Sequence, residues 1–192
     1  EKHSSAATST LDVVWVLYDR VLRITPESVA EPGRDRFYLS KGHGPMAYYA
    51  TLAAKGFFPV SWLAGWAAWD SPLGHHPDRV LVPGVEISSG SLGHGLPLAL
   101  GSALGLRAQG LDARVVVLVG DAELDEGSNH EAVELAGAMG LEQLTAVVVD
   151  NRSSTWNEPG LVARRFATDG WAVVTVDGRD HAQLEAALSR RV

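Results

Sequence analysis

The sequence contains no cysteine. That excludes a disulfide framework and any thiolate zinc site, and makes the cytoplasm the expected compartment. Long apolar runs are missing as well. Stretches such as residues 115–119 fall far short of the roughly 18 to 20 residues that cross a bilayer, so no membrane span is expected. Clustered positive charge is the third absence. The 16 Lys and Arg are scattered against 23 Asp and Glu, for a net charge of −7, whereas a nucleic-acid surface gathers its basic residues. The opening Glu1-Lys2-His3 begins no signal-peptide pattern. What is present is ordinary for a folded protein: 192 residues, 46% hydrophobic and 20% charged, which fits one domain over residues 1–192 with a substantial core.

Periodicity organises the chain. Leu11, Val14, Trp15, Tyr18, Val21 and Leu22 recur at helical spacing, with Thr10 placed to cap and Asp12 in the first turn. Residues 25–35 read as a loop, and Phe37-Tyr38-Leu39 reads as a short strand entering the glycine-rich Ser40-Lys41-Gly42-His43-Gly44. Helices are expected over 46–54 with Gly56 after it, over 61–69, and over 93–109 with Gly110 as its stop. Residues 71–84 have no clear period. Two β-branched runs, 115–119 and 144–149, flank a helical segment at 127–139, and a third run at 172–176 precedes a helix at 181–189. Continuous apolar strands joined by a helix imply parallel neighbours covered on both faces, the open α/β arrangement. Such sheets bind ligands at the carboxyl ends of their strands.

Those ends carry Gly120-Asp121-Ala122 and Asp150-Asn151. A hard divalent ion wants oxygen ligands and shares them with phosphate oxygens. The Asp121 carboxylate, the Asn151 amide and a backbone carbonyl just beyond, that of Ser153, would supply three. Small residues at Gly120 and Ala122 admit close approach of a diphosphate, and nearby N–H groups can bind an anion. The alternative is that Gly-Asp and Asp-Asn end strands simply because turns favour them. His130-Glu131-Ala132-Val133-Glu134 lacks the second histidine of a metalloprotease helix and reads as helix surface. Trp62, Trp66 and Trp69 have helical spacing and read as core or interface, and His181 as a helix-start residue.

The run Gly120-Asp121-Ala122-Glu123-Leu124-Asp125-Glu126-Gly127, followed by Asn151, resembles the thiamine-diphosphate motif of the transketolase family. Three further segments agree in order and spacing. Residues 34–44 are similar to the family's glycine-histidine-glycine segment, and His3 ahead of the first helix stands where its first active-site histidine lies. Gly74-His75-His76, Gly84-Val85-Glu86 and residues 90–95 are similar to the stretch passing the cofactor's rings. The resemblance implies a thiamine-diphosphate-binding fold, a three-layer sandwich whose mainly parallel sheet is flanked by helices. It implies thiamine diphosphate with Mg2+, or Ca2+, held by Asp121, Asn151 and the Ser153 carbonyl. Gly120, Ala122 and His43 would meet the diphosphate, Gly90 and Leu92 the aminopyrimidine. His3 and His76 would line the substrate channel; His76 is preferred to His75 for its distance to Gly84-Val85-Glu86. Glu126 would lie near a dimer interface, in an acid network between two cofactors.

The family's pyrimidine-activating glutamate belongs to a different domain, and no counterpart is found in these residues. The resemblance therefore implies a pyrimidine-binding partner subunit or domain, in a dimer or heterotetramer, and a chain ending before the final strand of the complete domain. The reaction implied is two-carbon ketol transfer between sugar phosphates. The rivals are the decarboxylating component of a 2-oxo acid dehydrogenase complex, a specialised two-carbon transferase of secondary metabolism, and a non-catalytic scaffold subunit. Departures from the family pattern are Ala122 for glycine, His94 for glutamine, Ser153 for an aliphatic residue and Lys2 for glycine. Ala122 would matter if its position required a positive φ.

Overall fold

The computed structural model describes residues 8–155 and 158–190, so the expectation for His3 lies outside the described residues. Three parallel strands form the sheet in the order β1 (Arg36–Leu39), β2 (Val115–Gly120), β3 (Leu144–Val149). Leu39 pairs with Leu118 and Gly120 with Val149, so all three carboxyl ends emerge on one edge. Among the described residues the helices include α1 (Leu11–Val16), α2 (Met46–Ala54), α3 (Gly95–Ala108), α4 (Gly127–Ala138), α5 (Leu161–Thr168) and α6 (His181–Leu188).

Alternation along the strands divides the core in two. Phe37, Leu39, Val116 and Leu118 face one way, against Val14 and Val16 of α1, Tyr48 and Leu52 of α2, and Leu184 and Leu188 of α6. Tyr38, Val115, Val117 and Val119 face the other way, against Leu96 and Ala103 of α3, Val133 of α4 and Phe166 of α5. The period-two pattern of a strand thus builds two apolar layers on one sheet, and the three-layer α/β sandwich expected from the sequence is the fold observed. Every residue of β2 is buried, whereas β3 beyond Leu144 is only half-buried.

Four local departures have physical causes. The first helix widens after Val16 into a π turn, Leu17–Val21, closed by the Leu22 N–H on the Leu17 carbonyl at 2.8 Å. Thr10 starts that helix with its carbonyl, which accepts from the Val14 N–H at 3.0 Å, and its side chain makes no capping bond. The helix expected over 61–69 is a 3-10 turn, Val60–Gly65. It stops because Trp66 is extended (ψ 132°) and Ala67 is left-handed (φ 60°). Residues 172–176 run without joining the sheet, and Val173 and Val174 are exposed. Other boundaries follow their punctuation: Gly56, Gly110 and Gly140 have φ of 82°, 67° and 54° just past α2, α3 and α4. α6 is capped by the Asp180 carboxylate, which accepts from the N–H groups of Ala182 and Gln183.

Candidate functional site

The end of β2 lies between the other two. Ser40 continues β1 beside it, its N–H on the Leu118 carbonyl at 2.9 Å, and the Asp121 N–H reaches the Val149 carbonyl of β3 at 3.2 Å. Ser40 to His43, Gly120 to Ala122 and Asp150-Asn151 therefore share one edge, as parallel pairing of these strands requires. The 89–95 turn closes on this edge from above. A Cβ on Gly42 would lie 2.6 Å from the Ser89 carbonyl carbon and 2.7 Å from the Gly90 nitrogen, and one on Gly95 would collide with Ser40. Only glycine allows the two loops to touch so closely.

His76 stands over the same turn. A Cβ on Gly90 would meet its ring at 2.8 Å, while the Tyr49 hydroxyl of α2 donates to the His76 and Gly74 carbonyls at 2.9 and 3.2 Å. The Tyr48 hydroxyl holds the Gly84 carbonyl at 3.0 Å, and Arg34 forks onto Glu86. The segments around His76 and Gly84 are thus fastened to a buried helix and to the strand entry. His75 instead meets the edge of Trp66, 5.3 Å between ring centres, and Trp62 stacks on Phe58 at the same separation; Trp69 is fully exposed. His130 is exposed on α4, and His181 starts α6 with Nε2 at 2.8 Å from Asp12.

Asp121 is 3% exposed and accepts three hydrogen bonds from the loop after β3. The Ser153 N–H and the Ser154 N–H reach Oδ2 at 2.6 and 3.0 Å, and the Ser153 hydroxyl reaches Oδ1 at 2.6 Å. Burial alone raises its pKa. The Ser153 hydroxyl with the N–H groups of Ser154, Ser153 and Ala122 outweighs this, holding the carboxyl below its ordinary range. The charged form that a cation needs is therefore the stable one. Asp125 grips the same loop through the Ser154 hydroxyl (3.3 Å) and the Thr155 N–H (3.2 Å). Asn151 is exposed, and Arg152 beside it is left-handed (φ 60°), a conformation that non-glycine residues store at functional turns.

Ala122 begins a 3-10 turn (Ala122–Asp125), and among the described residues positive φ outside glycine falls at Ala67 and Arg152. Its methyl thus causes no backbone strain. His94 is exposed at the start of α3, with Nδ1 at 3.1 Å from the Leu92 carbonyl and 3.3 Å from that of Ser91, which puts the proton on Nδ1. Leu92 is half-buried beneath it. Glu126 is exposed and borders Gly93, whose added Cβ would lie 2.7 Å from that of Glu126.

Two residues escaped the sequence reading. Glu123, 1% exposed, accepts from the Ser40 hydroxyl and from the N–H groups of Gly93 (3.0 Å) and Gly120 (3.3 Å). Burial pushes its pKa up, against those donors and the Lys41 charge. Lys41 is 3% exposed; burial lowers its pKa against the charges of Asp121 and Glu123, and its stem passes 3.6 Å from the site of a Cβ on Gly120. Their only signal in the sequence was a charge beside each glycine-rich turn.

The donor set suits a metal diphosphate. Among the described residues no three His, Asp or Glu side chains cluster to hold a metal, so a cation at Asp121 would draw on amide, carbonyl and phosphate oxygens, as Mg2+ commonly does. A Cβ on Gly120 would make ordinary contact with the Lys41 stem at 3.6 Å, and the Ser89 hydroxyl at Gly42 is buried without a partner among the described residues.

Comparison with known proteins agrees with this geometry. Residues 1–191 match the family described as "Transketolase, thiamine diphosphate binding domain". The chain is 54% identical over 191 residues to "Ferredoxin fas2" of Rhodococcoides fascians, covering 99% of this chain and 63% of that protein. It is 41% identical over 150 residues to an apulose-4-phosphate transketolase subunit of Actinobacillus succinogenes, covering 78% of this chain and 54% of that protein. Among solved structures, transketolase from Leishmania mexicana superposes with a TM-score of 0.83 at 27% identity, over 98% of this chain and 34% of that one. The chain thus spans less than two thirds of these relatives' length. Sequence and fold together make the chain a member of the transketolase N-terminal family, the thiamine diphosphate-binding domain.

Proposed function

We propose that this chain is the diphosphate-binding half of a thiamine-diphosphate- and Mg2+-dependent transketolase that moves a two-carbon ketol unit between sugar phosphates. The observation that carries the reading is that the segments carrying His43, Gly120-Asp121-Ala122 and Asn151 leave the sheet at the carboxyl ends of three neighbouring parallel strands. Asp121, Asn151 and the Ser153 carbonyl hold the metal, with Ca2+ as a substitute. His43, Gly120 and Ala122 contact the diphosphate, and Gly90 and Leu92 the aminopyrimidine. Bound there, the cofactor supplies a nucleophilic carbon and an electron sink, so the protein's own work is to bind, orient and polarise. His76, with His3, binds sugar hydroxyls and moves protons near neutral pH. Glu126, exposed on this chain, faces a second protomer.

A pyrimidine-binding partner subunit or domain completes the site. Several relatives are named as single subunits of a transketolase rather than as whole enzymes, which supports a divided enzyme. The relative named a ferredoxin does not redirect the reading, because iron–sulfur clusters are held by cysteine thiolates and these 192 residues contain none. A cysteine-free chain also suits the reducing cytoplasm.

Calorimetry with thiamine diphosphate and Mg2+, with and without the partner, tests the reading. Binding by the wild type and its loss in Asp121→Ala are expected; equal binding by the variant sinks the metal-diphosphate site. Turnover of xylulose 5-phosphate rather than pyruvate is the expected substrate result. Turnover by this chain without a partner would refute the half-site.

A further inference from the structure

The carboxylate of Glu123 occupies an unusual place for a charged group. It is 1% exposed, and its three donors come from three different segments: the Ser40 hydroxyl after β1, the Gly93 N–H of the turn before α3, and the Gly120 N–H at the end of β2. The Ser40 oxygen accepts in turn from the Gly95 N–H at 3.0 Å, and the Glu123 carbonyl accepts from the buried Asn129 amide of α4 at 2.6 Å. Two of the three segments carry a residue assigned above to the diphosphate end and its metal, and the third carries one assigned to the aminopyrimidine. His43 lies three residues beyond Ser40, Leu92 is next to Gly93, and Asp121 is next to Gly120.

We propose that Glu123 is a positioning residue that fixes the ring-contacting turn (Gly90 to Gly93) relative to the diphosphate end of the site (His43, Asp121), so that thiamine diphosphate is bound at both ends at once. The inference rests on the reading of the site as a thiamine-diphosphate cradle. A carboxylate suits this junction because it is acceptor-only, and all three neighbours donate. A carboxamide cannot replace it. Whichever way the amide of a glutamine turns, its NH2 faces a donor, either Gly120 on one side or Ser40 and Gly93 on the other. A buried donor left facing a donor must move, and here movement slides one loop against another. Glu126, three residues on, cannot take over the role, because it is exposed and borders Gly93 from the outer side.

The test compares two ligands on the full-length protein. Thiamine diphosphate spans both ends of the site, while inorganic pyrophosphate occupies only the diphosphate end, each titrated with Mg2+ by calorimetry. For Glu123→Gln the affinity for thiamine diphosphate is expected to fall about 10- to 100-fold, the usual effect of losing a supporting residue behind a binding group. Pyrophosphate affinity is expected to fall several times less, and the unliganded variant is expected to melt somewhat lower because one buried donor loses its acceptor. Ser40→Ala, which keeps the carboxylate but removes one of its donors and the acceptor of the Gly95 N–H, should show the same ligand asymmetry more weakly, and it carries the test if Glu123→Gln does not fold. Non-additivity in the double variant is expected, since both residues act through one network. Equal losses for the two ligands, or unchanged affinity for thiamine diphosphate in a folded variant, overturn the proposal. Failure of the wild type to bind thiamine diphosphate overturns the reading of the site itself, and the proposal with it.

Discussion

On one side of β2, the end of β1 and the turn before α3 meet around a carboxylate that is 1% exposed; on the other, β3 runs into an exposed loop gripped by Asp121 and Asp125. The first side is set when the protein folds, because its bonds are buried and its glycines leave no slack. The second depends on two carboxylates, one of them the proposed metal ligand. A single site thus combines a rigid wall with a loop whose order is electrostatic.

Substitutions separate the two sides. Asp121→Ala strikes the seam between them, removing three accepted hydrogen bonds and a proposed ligand together. Loss of Mg2+–thiamine diphosphate affinity should exceed the roughly 10- to 100-fold typical of supporting residues, read by calorimetry. Gly42→Ala tests the rigid wall. Its Cβ would press on the backbone of Ser89 and Gly90, which cannot turn aside as a side chain would, at a cost of about 1–3 kcal/mol. A chain of this size loses roughly 2–4 °C of melting temperature per kcal/mol, so a clear drop is expected without any ligand. Unchanged melting would mean that the wall yields.

Asn151→Ala should behave in the opposite way. The residue is exposed, so stability should stay within about 0.5 kcal/mol of the wild type, while metal-diphosphate affinity falls about tenfold. Acid should loosen the loop side through Asp121. Its folded pKa lies below its unfolded value of about 3.9, so its contribution is complete above that value and lost as pH falls through the lower folded one. Amide exchange at Ser153 and Ser154 is the measurement; protection that survives below that window would remove Asp121 as the clamp. The smallest change is expected for Ala122→Gly, where added backbone freedom costs about 0.5–1 kcal/mol and a melting curve reads it.

Much of this frame was legible because its signals are local. Residues 115–119 and 144–149 are β-branched runs, and they form β2 and β3; Gly56, Gly110 and Gly140 take the left-handed conformation that ends a helix. The segment after Pro59 defeats its own pattern, because helical spacing of Trp62, Trp66 and Trp69 does not reveal that Trp66 turns extended. The run at 172–176 has strand composition, but pairing is a tertiary property, and these residues join no ladder. At the site, the order of motifs points to His43, Gly90, Gly120 and Asp121, and the loops that carry them meet on one edge. What it could not say was which glutamate of the run 120–127 turns inward. Glu123 does so because the 3-10 turn after Asp121 folds its side chain back beneath Gly120, a matter of backbone path rather than composition. The hydrogen bonds of the Ser153 N–H and hydroxyl to Asp121 are likewise a matter of backbone path, and they leave the Ser153 carbonyl to the proposed metal role.

The negative φ of Ala122 changes how such sequences should be searched. The glycine that usually ends the Gly-Asp-Gly pattern reads as a demand for unusual backbone, yet here the chain turns in an ordinary helical conformation and carries a methyl group. Handedness is therefore no constraint at that place. A text filter that insists on glycine there would discard this chain, whereas one that asks for any small residue, followed at the right distance by Asp-Asn, would keep it.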